Sequence, residues 1–397
     1  MTDSTMISKI SPESLAPFYS RFSVDKRILL TGHSHQAWPD CSLDGQNEAW
    51  EDAAKYVDNK WPLVFKKLDS LRQTYLALLD DNNGYVSIGQ NTHDLLVRFL
   101  SALPLKNKPQ IVTTDGEFHT IRRQLSRLEE ESIEVIPVPS YPTENVVSQI
   151  IDSLSTKTAA VLVSSVFFQN AQILSGMSEL MQACEKNNTE LLIDVYHQLN
   201  VVPFSVSNSH LESAFIIGGG YKYCQFGEGV GFLRFPKHTQ MRPVITGWFA
   251  DFSHLDEINQ KVEYDKTHDR FAGATFDPVS AYRAVAVAEF FQKQNLTPEK
   301  LRDISQEQMD FLITCIDNKD FDPTIISRDN SVSLTNIAGF LALKTPYAKS
   351  LADHLYQNNI FSDVRGEYIR LGPAPYVTFE QINSAVDCIA EFVHSKI

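Results

Sequence analysis

The stretch Ala214-Phe215-Ile216-Ile217-Gly218-Gly219-Gly220-Tyr221-Lys222-Tyr223 sets an apolar run against three glycines and a lysine held between two tyrosines. The run has the length and composition of a buried strand, and the glycines end it while letting the backbone approach something bulky. Lys222 then stands at the strand's exit, where open α/β sheets place their ligands. An amine kept there in a partly desolvated pocket loses proton affinity, because burial disfavours its charged form, and becomes a nucleophile for a carbonyl. Taken alone, the stretch reads more simply as a core strand followed by a solvated lysine, the commoner situation of that residue. Its partners along the chain decide between the two.

Upstream, short apolar runs alternate with amphipathic segments. Tyr85–Gly89, Ile111–Thr114, Ile133–Val138, Ala160–Ser165 and Leu191–Asp194 read as strands, and Leu95–Leu103, Phe118–Leu128 and Met177–Cys184 as helices. Near-continuous apolar strands separated by helices imply a mostly parallel sheet covered on both faces, forming a large α/β domain over 46–270. At its start, Val64, Leu68, Leu71, Tyr75 and Leu78 recur at helical spacing and predict one long amphipathic helix between about 45 and 80. After it, helices over Pro278–Phe291, Pro298–Ile316, Ala348–Gln357 and Thr378–Val393 mix with strands over Ser331–Thr335, Ile337–Leu343 and Tyr368–Leu371. That irregular texture predicts a smaller α+β domain over 271–397, against which residues 1–45, carrying a brief strand near Ile28, pack.

With 397 residues, 43% of them hydrophobic, the chain can bury a large core. Lys plus Arg number 35 against 49 Asp plus Glu, a formal net charge of −14 that argues against non-specific nucleic-acid binding and against a basic membrane patch. Cys41, Cys184, Cys224, Cys315 and Cys388 show no metal-like spacing, the pattern of thiols in a reducing compartment. No apolar run approaches a membrane span, and Met1 to Pro12 lack the apolar centre of a secretion signal, so the expectation is a soluble cytoplasmic protein. His33 and His35 lack a neighbouring carboxylate or cysteine to complete a ligand set, and no metal site is expected.

Asp194 closes the strand that precedes the one ending at Lys222, so both side chains can reach one sheet edge. A buried carboxylate there could pair with a protonated ring nitrogen; it reads equally as a strand-end Asp capping a helix. His197, three residues on, suits the flank of the same ring or a satisfied place in the core. Asn91-Thr92-His93-Asp94 opens a helix directly after a strand, where free backbone N–H groups and the helix dipole bind phosphate, although Asn and Thr are also ordinary N-caps. Phe118, in the next strand-to-helix connection, suits stacking on a planar ring as well as core packing.

In combination these features resemble the fold-type-I enzymes that depend on pyridoxal 5'-phosphate (PLP), in the class V aminotransferase family. Within that family the chain looks most like the kynureninases. The likeness rests on Asp194-x-x-His197, Tyr221-Lys222-Tyr223, Glu117-Phe118-His119-Thr120, Gly247-Trp248-Phe249 and the run Ile369-Arg370-Leu371-Gly372-Pro373-Ala374-Pro375, and it extends from Thr31 to the terminal helix. The resemblance implies a PLP-dependent transferase-like fold and assigns roles. Lys222 would join covalently to the cofactor's aldehyde, Asp194 would partner the ring nitrogen, and Phe118 would stack on the ring. Thr92, His93, His197 and Tyr221 would surround the phosphate or ring edge, with Tyr221 also assisting catalysis beside Lys222 and Asp194. Arg370 would clamp the carboxylate of the substrate, a task suited to its two-pronged donor face.

Arg270-Phe271-Ala272-Gly273-Ala274-Thr275 is similar to a segment of the related cysteine desulfurases that reaches the phosphate across a dimer interface. Thr275 and Trp248 would accordingly come from a second subunit, which implies a homodimer with shared active sites. Departures cluster at the substrate: Gly32-His33-Ser34-His35-Gln36 stands where kynureninases have Gly-Asn-Ser-Leu-Gly, which makes His33 and Ser34 candidate substrate contacts, and Thr275 aligns with a substrate-touching Asn. The implied activity is that of a PLP-dependent enzyme on an amino-acid substrate, with kynureninase-like hydrolytic C–C cleavage as the main expectation. A class V aminotransferase or C–S lyase acting on another amino acid is the alternative. A desulfurase would need a nucleophilic cysteine around Ser327 to Leu343, and that segment contains none. The joint presence of Lys222, Asp194 and Arg370 weighs against a non-catalytic binding module.

Overall fold

The computed structural model describes residues 10–254 and 261–396. Among the described residues the first elements are a short turn of helix α1 (Pro12–Leu15) and strand β1 (Ile28–Leu29), followed by helices α2 (Cys41–Tyr56) and α3 (Trp61–Leu78). Strands and helices then alternate: β2 (Gly84–Gly89), α4 (Thr92–Ala102), β3 (Gln110–Thr114), α5 (His119–Glu129), β4 (Glu134–Val138), α6 (Val146–Ser153), β5 (Thr158–Ser164), α7 (Met177–Lys186) and β6 (Glu190–Asp194). Strands β7 (Phe215–Gly219) and β8 (Gly231–Pro236) finish this part. The C-terminal part comprises α8 (Val279–Lys293), α9 (Pro298–Asp317), β9 (Ser327–Arg328), β10 (Leu341–Lys344), α10 (Ala348–Gln357), β11 (Ile360–Phe361), β12 (Asp363–Arg365), β13 (Tyr368–Leu371) and α11 (Phe379–His394).

The seven-stranded sheet has the order β2-β8-β7-β6-β5-β3-β4. Neighbours from β4 to β7 run parallel, and only β8 is antiparallel to both of its partners. Both faces are covered, which is why the strands read as continuous apolar runs. Ile193 and Ile216 belong to the core on one face, whereas Leu192, Phe215 and Ile217 belong to the core on the other. The chain leaves β3 towards β4 on one side and returns to β5 on the other. This reversal opens a crevice at the strands' carboxyl ends, the place where such sheets bind ligands.

A second, antiparallel sheet of order β12-β13-β10-β9 forms with α9, α10 and α11 the C-terminal layer. The N-terminal segment joins it: β1 pairs in parallel with β11, and Thr31 bridges to Gly372. Among the described residues no helix is long and apolar enough to cross a membrane.

Three expectations need correction. The single helix between 45 and 80 is two helices, broken where Val57 takes a left-handed φ of 49° and Pro62 opens the next helix. Residues Ser331–Thr335 form no strand, because Asp329 Oδ1 accepts both the backbone N–H and hydroxyl of Ser331 and folds the segment on itself. The strand expected from Ile337 begins only at Leu341. Strand β8 escaped the sequence reading because Arg234 interrupts its apolar run. Inside the protein that arginine is fully buried, its Nε donating to Asp81 Oδ2 at 2.6 Å.

Candidate active site

A cavity of about 240 Å³ lies at the carboxyl ends of the central strands. Asp194 is the last residue of β6, Ser164 the last of β5 beside it, and Lys222 follows β7 after the glycines. All three line the cavity. A Cβ at Gly219 would lie 2.2 Å from the Tyr196 hydroxyl, so any larger residue there would force that ring to move. The glycine thus lets the aromatic ring of Tyr196 lie close to the strand end.

Lys222 is buried, with 5% of its surface exposed. Its Nζ hydrogen bonds His197 Nε2 at 2.6 Å and lies 4.8 Å from the centre of the Tyr196 ring and 5.5 Å from that of Phe118. Burial lowers the proton affinity of this amine to about 7, with the Asp194 carboxylate pulling the other way and the Arg370 guanidinium reinforcing the fall. His197 is driven well below the ordinary histidine range, first by burial and then by the charges of Lys222 and Arg370, so it is neutral. Its Nδ1 is buried without a partner. Burial raises the Asp194 carboxyl, against the backbone N–H of Tyr196, which donates to Asp194 Oδ1 at 2.8 Å, and against Lys222.

One end of the cavity is the first turn of α4. The Asn91 side chain caps this helix by accepting the Asp94 N–H at 2.9 Å, and Thr92 and His93 follow at the cavity wall. Unsatisfied N–H groups of that turn offer an anion seat. Phe118 also lines the cavity, its ring set edge-on to Phe168 at 5.4 Å. Beneath it, the buried Glu117 carboxylate accepts from the Thr114 hydroxyl (2.7 Å) and from the Ser164 hydroxyl (2.6 Å) and N–H (3.1 Å). Burial raises this carboxyl to about 7.

The fold brings Thr92, His93, Phe118, Asp194, His197, Tyr221 and Lys222 to one cavity. It treats the other expected residues differently. Trp248 is 43% exposed and packs on Phe249, and Thr275 borders a neighbouring cavity that shares Gln90 with the first. Ser34 lines a separate cleft between the N-terminal segment and the C-terminal layer. His33 is fully buried against the ring of Phe340, and Arg370 is buried behind the wall, its Nη1 donating to the Phe168 carbonyl and its Nη2 to Asp363. His33 and His35 face different surroundings, His35 stacking on Tyr221 at 4.9 Å. Sequence reasoning passed over Tyr196, although its place two residues after Asp194 was a usable signal. Asp363 carried no signal of its own.

No family model matches the chain. It is 22% identical over 379 residues to an uncharacterized aminotransferase, YcbU, of Bacillus subtilis (strain 168), covering 92% of this chain and 96% of that protein. Among solved structures, the cystine C–S lyase C-DES in complex with its reaction product cysteine persulfide superposes with a TM-score of 0.79 at 17% identity, over 93% of this chain and 98% of that one. A lysine-to-alanine mutant of C-DES, with glycine covalently linked to the PLP cofactor, gives 0.81 at 17% identity over 94% and 98%. Apo cysteine desulfurase from Thermococcus onnurineus NA1 gives 0.79 at 15% identity over 97% and 98%. This chain has their fold. The α/β architecture expected from the sequence is therefore that of PLP-dependent transferase-like proteins.

Proposed function

We propose that this protein is a PLP-dependent enzyme acting on an amino-acid substrate, of the C–S lyase or aminotransferase type. The observation that carries the reading is Lys222, a buried amine whose proton affinity falls to about 7 inside a cavity that also holds Asp194. The surrounding residues fit the cofactor. The first turn of α4 suits its phosphate, Asp194 its ring nitrogen, and Phe118 its ring face, while the orphaned Nδ1 of His197 is a polar atom awaiting a partner. When bound, PLP supplies an electron sink for the pair left when a bond to the substrate's Cα breaks.

Each residue then has a task. Lys222 in its neutral form would hold the cofactor through its amine and would serve as the base that takes the proton from the substrate's Cα. His197, neutral and hydrogen bonded to Nζ, orients that amine. Asp194 would provide the counter-charge for the ring nitrogen, and the apolar side chains of Phe118 and Phe168 in the cavity lining would help to exclude water from the bound ring. Likeness to a cystine C–S lyase supports the lyase assignment, and the lack of a cysteine between Ser327 and Leu343 sets desulfurase chemistry below it. Kynureninase-like hydrolysis is the second reading, favoured by the motifs around Asp194, Lys222 and Arg370. The proposal includes a homodimer in which Trp248 and Thr275, both outside the cavity of their own chain, complete the partner's site.

Purified protein should take up PLP and show a visible band that Lys222→Ala abolishes; protein that takes up none refutes the reading. Release of pyruvate from L-cystine supports the lyase. Anthranilate from L-kynurenine, with cystine untouched, replaces it by the second reading.

A further inference from the structure

The cation expected to clamp the substrate's carboxylate already holds one. Strands β12 and β13 are antiparallel with Asp363 directly opposite Arg370, so their side chains share a face of the sheet. Arg370 Nη2 donates to Asp363 Oδ2, and Asp363 Oδ1 takes Arg365 Nη1 at 2.7 Å. Arg370 is 2% exposed, its Nε lacks any partner, and its other terminal nitrogen is held by the carbonyl of Phe168, a cavity-lining residue. His33 stands beside Asp363. It is fully buried, neither ring nitrogen has a hydrogen-bond partner, and its Nε2 is 3.8 Å from Asp363 Oδ2, just beyond hydrogen-bonding reach.

We propose that Asp363 is a built-in occupant of the carboxylate seat on Arg370, and that a substrate's carboxylate binds by displacing it. The inference rests on the reading of Arg370 as the substrate clamp and adds what governs access to it. A buried guanidinium without a counter-ion is strongly unfavourable, so the empty site needs an anion there. An aspartate side chain and an amino acid's carboxylate are the same chemical group, able to make the same paired hydrogen bonds. On exchange no charge is stranded. Arg370 passes to the substrate, while Asp363 keeps Arg365 and turns its freed oxygen to His33, whose Nε2 can donate in one tautomer.

The exchange has a consequence for specificity. Apparent affinity falls by the fraction of time the clamp is free, so a carboxylate alone gains little and a ligand must add contacts elsewhere in the cavity. Asp363 thus selects whole amino acids over simple carboxylates.

The test uses the PLP-loaded enzyme, with L-alanine as probe and binding followed by calorimetry and by cofactor absorbance. Asp363→Asn should bind L-alanine roughly tenfold more tightly, with KM for a turned-over amino acid lowered and kcat not raised. Acetate, weak against the parent, should gain affinity in the same variant. Arg370→Lys should weaken L-alanine binding in both backgrounds. Unchanged or weaker binding by Asp363→Asn, with Arg370→Lys still damaging, overturns the displacement while leaving the clamp standing. Harmless Arg370→Lys overturns both. Should Asp363→Asn fail to fold, His33→Leu decides: a side chain with no N–H to receive the displaced carboxylate should weaken L-alanine binding several-fold, and unchanged binding overturns the proposal.

Discussion

Lys222 shows how far a single side chain's environment sets its chemistry. Its amine becomes a nucleophile only when unprotonated, and burial brings that change down to about pH 7. Capture of PLP by the apoprotein should therefore quicken as pH rises through about 7 and level off above it, with a slope near tenfold per unit on the acid side. Stopped-flow absorbance checks this; a rate still climbing steeply towards pH 10 would mean a solvated lysine. Glu117 gives a stability counterpart. Its carboxyl rises from 4.5 to about 7 on folding. Between those values the native state holds a proton that the unfolded chain releases, so stability is fully present below the lower value and declines as pH rises through the upper one. Glu117→Gln does not titrate. Its stability relative to the parent should improve by up to about 3 kcal/mol between about pH 5 and about pH 8, read from urea denaturation. A difference that stays flat over that interval would contradict the assignment. At this scale Lys222, Asp194 and His197 were legible because strand-end position and spacing mark them. The seat of Arg370 was not, since its occupant, Asp363, is set by a hairpin register that no local pattern announces.

Among the elements, the parallel strands were readable because burial on both faces leaves uninterrupted apolar runs. Where a second force intervened, the reading failed. Arg234 sits in β8 because a buried partner, Asp81, offsets its charge, and the sequence shows only an interruption. The break between α2 and α3 depends on Val57 adopting a conformation that β-branched residues seldom take. The end of β7 carries a prediction of its own. Gly219→Ala would drive a methyl group into Tyr196, so the variant should lose about 1–3 kcal/mol of stability and bind PLP more weakly. Thermal melting with and without cofactor measures both effects. Unaltered melting would show that Tyr196 can withdraw freely.

For the molecule as a whole, the segment before Glu263 exposes Val244 (82%), Ile245 (51%) and Val262 (60%) near Trp248 in sequence. Apolar exposure of this kind marks contact surfaces, and a second copy of the chain would cover it in the proposed homodimer. Sedimentation at micromolar concentration should give a dimer, and Ile245→Asp should shift it towards monomer by tenfold or more in dissociation constant, roughly the effect of an unpaired charge in an interface. A monomeric parent protein would remove the shared site.

The pairing of β1 with β11 and the bridge from Thr31 to Gly372 tie the segment before α2 to residues more than 300 positions further on. During synthesis all residues of the seven-stranded sheet, the last of them Pro236, are made before Ile360, so Ile28 and Leu29 must wait for partners that emerge after the whole of that sheet. Nascent chains would thus expose an unsatisfied apolar N-terminal arm beside an already folded body, the kind of species that chaperones recognise.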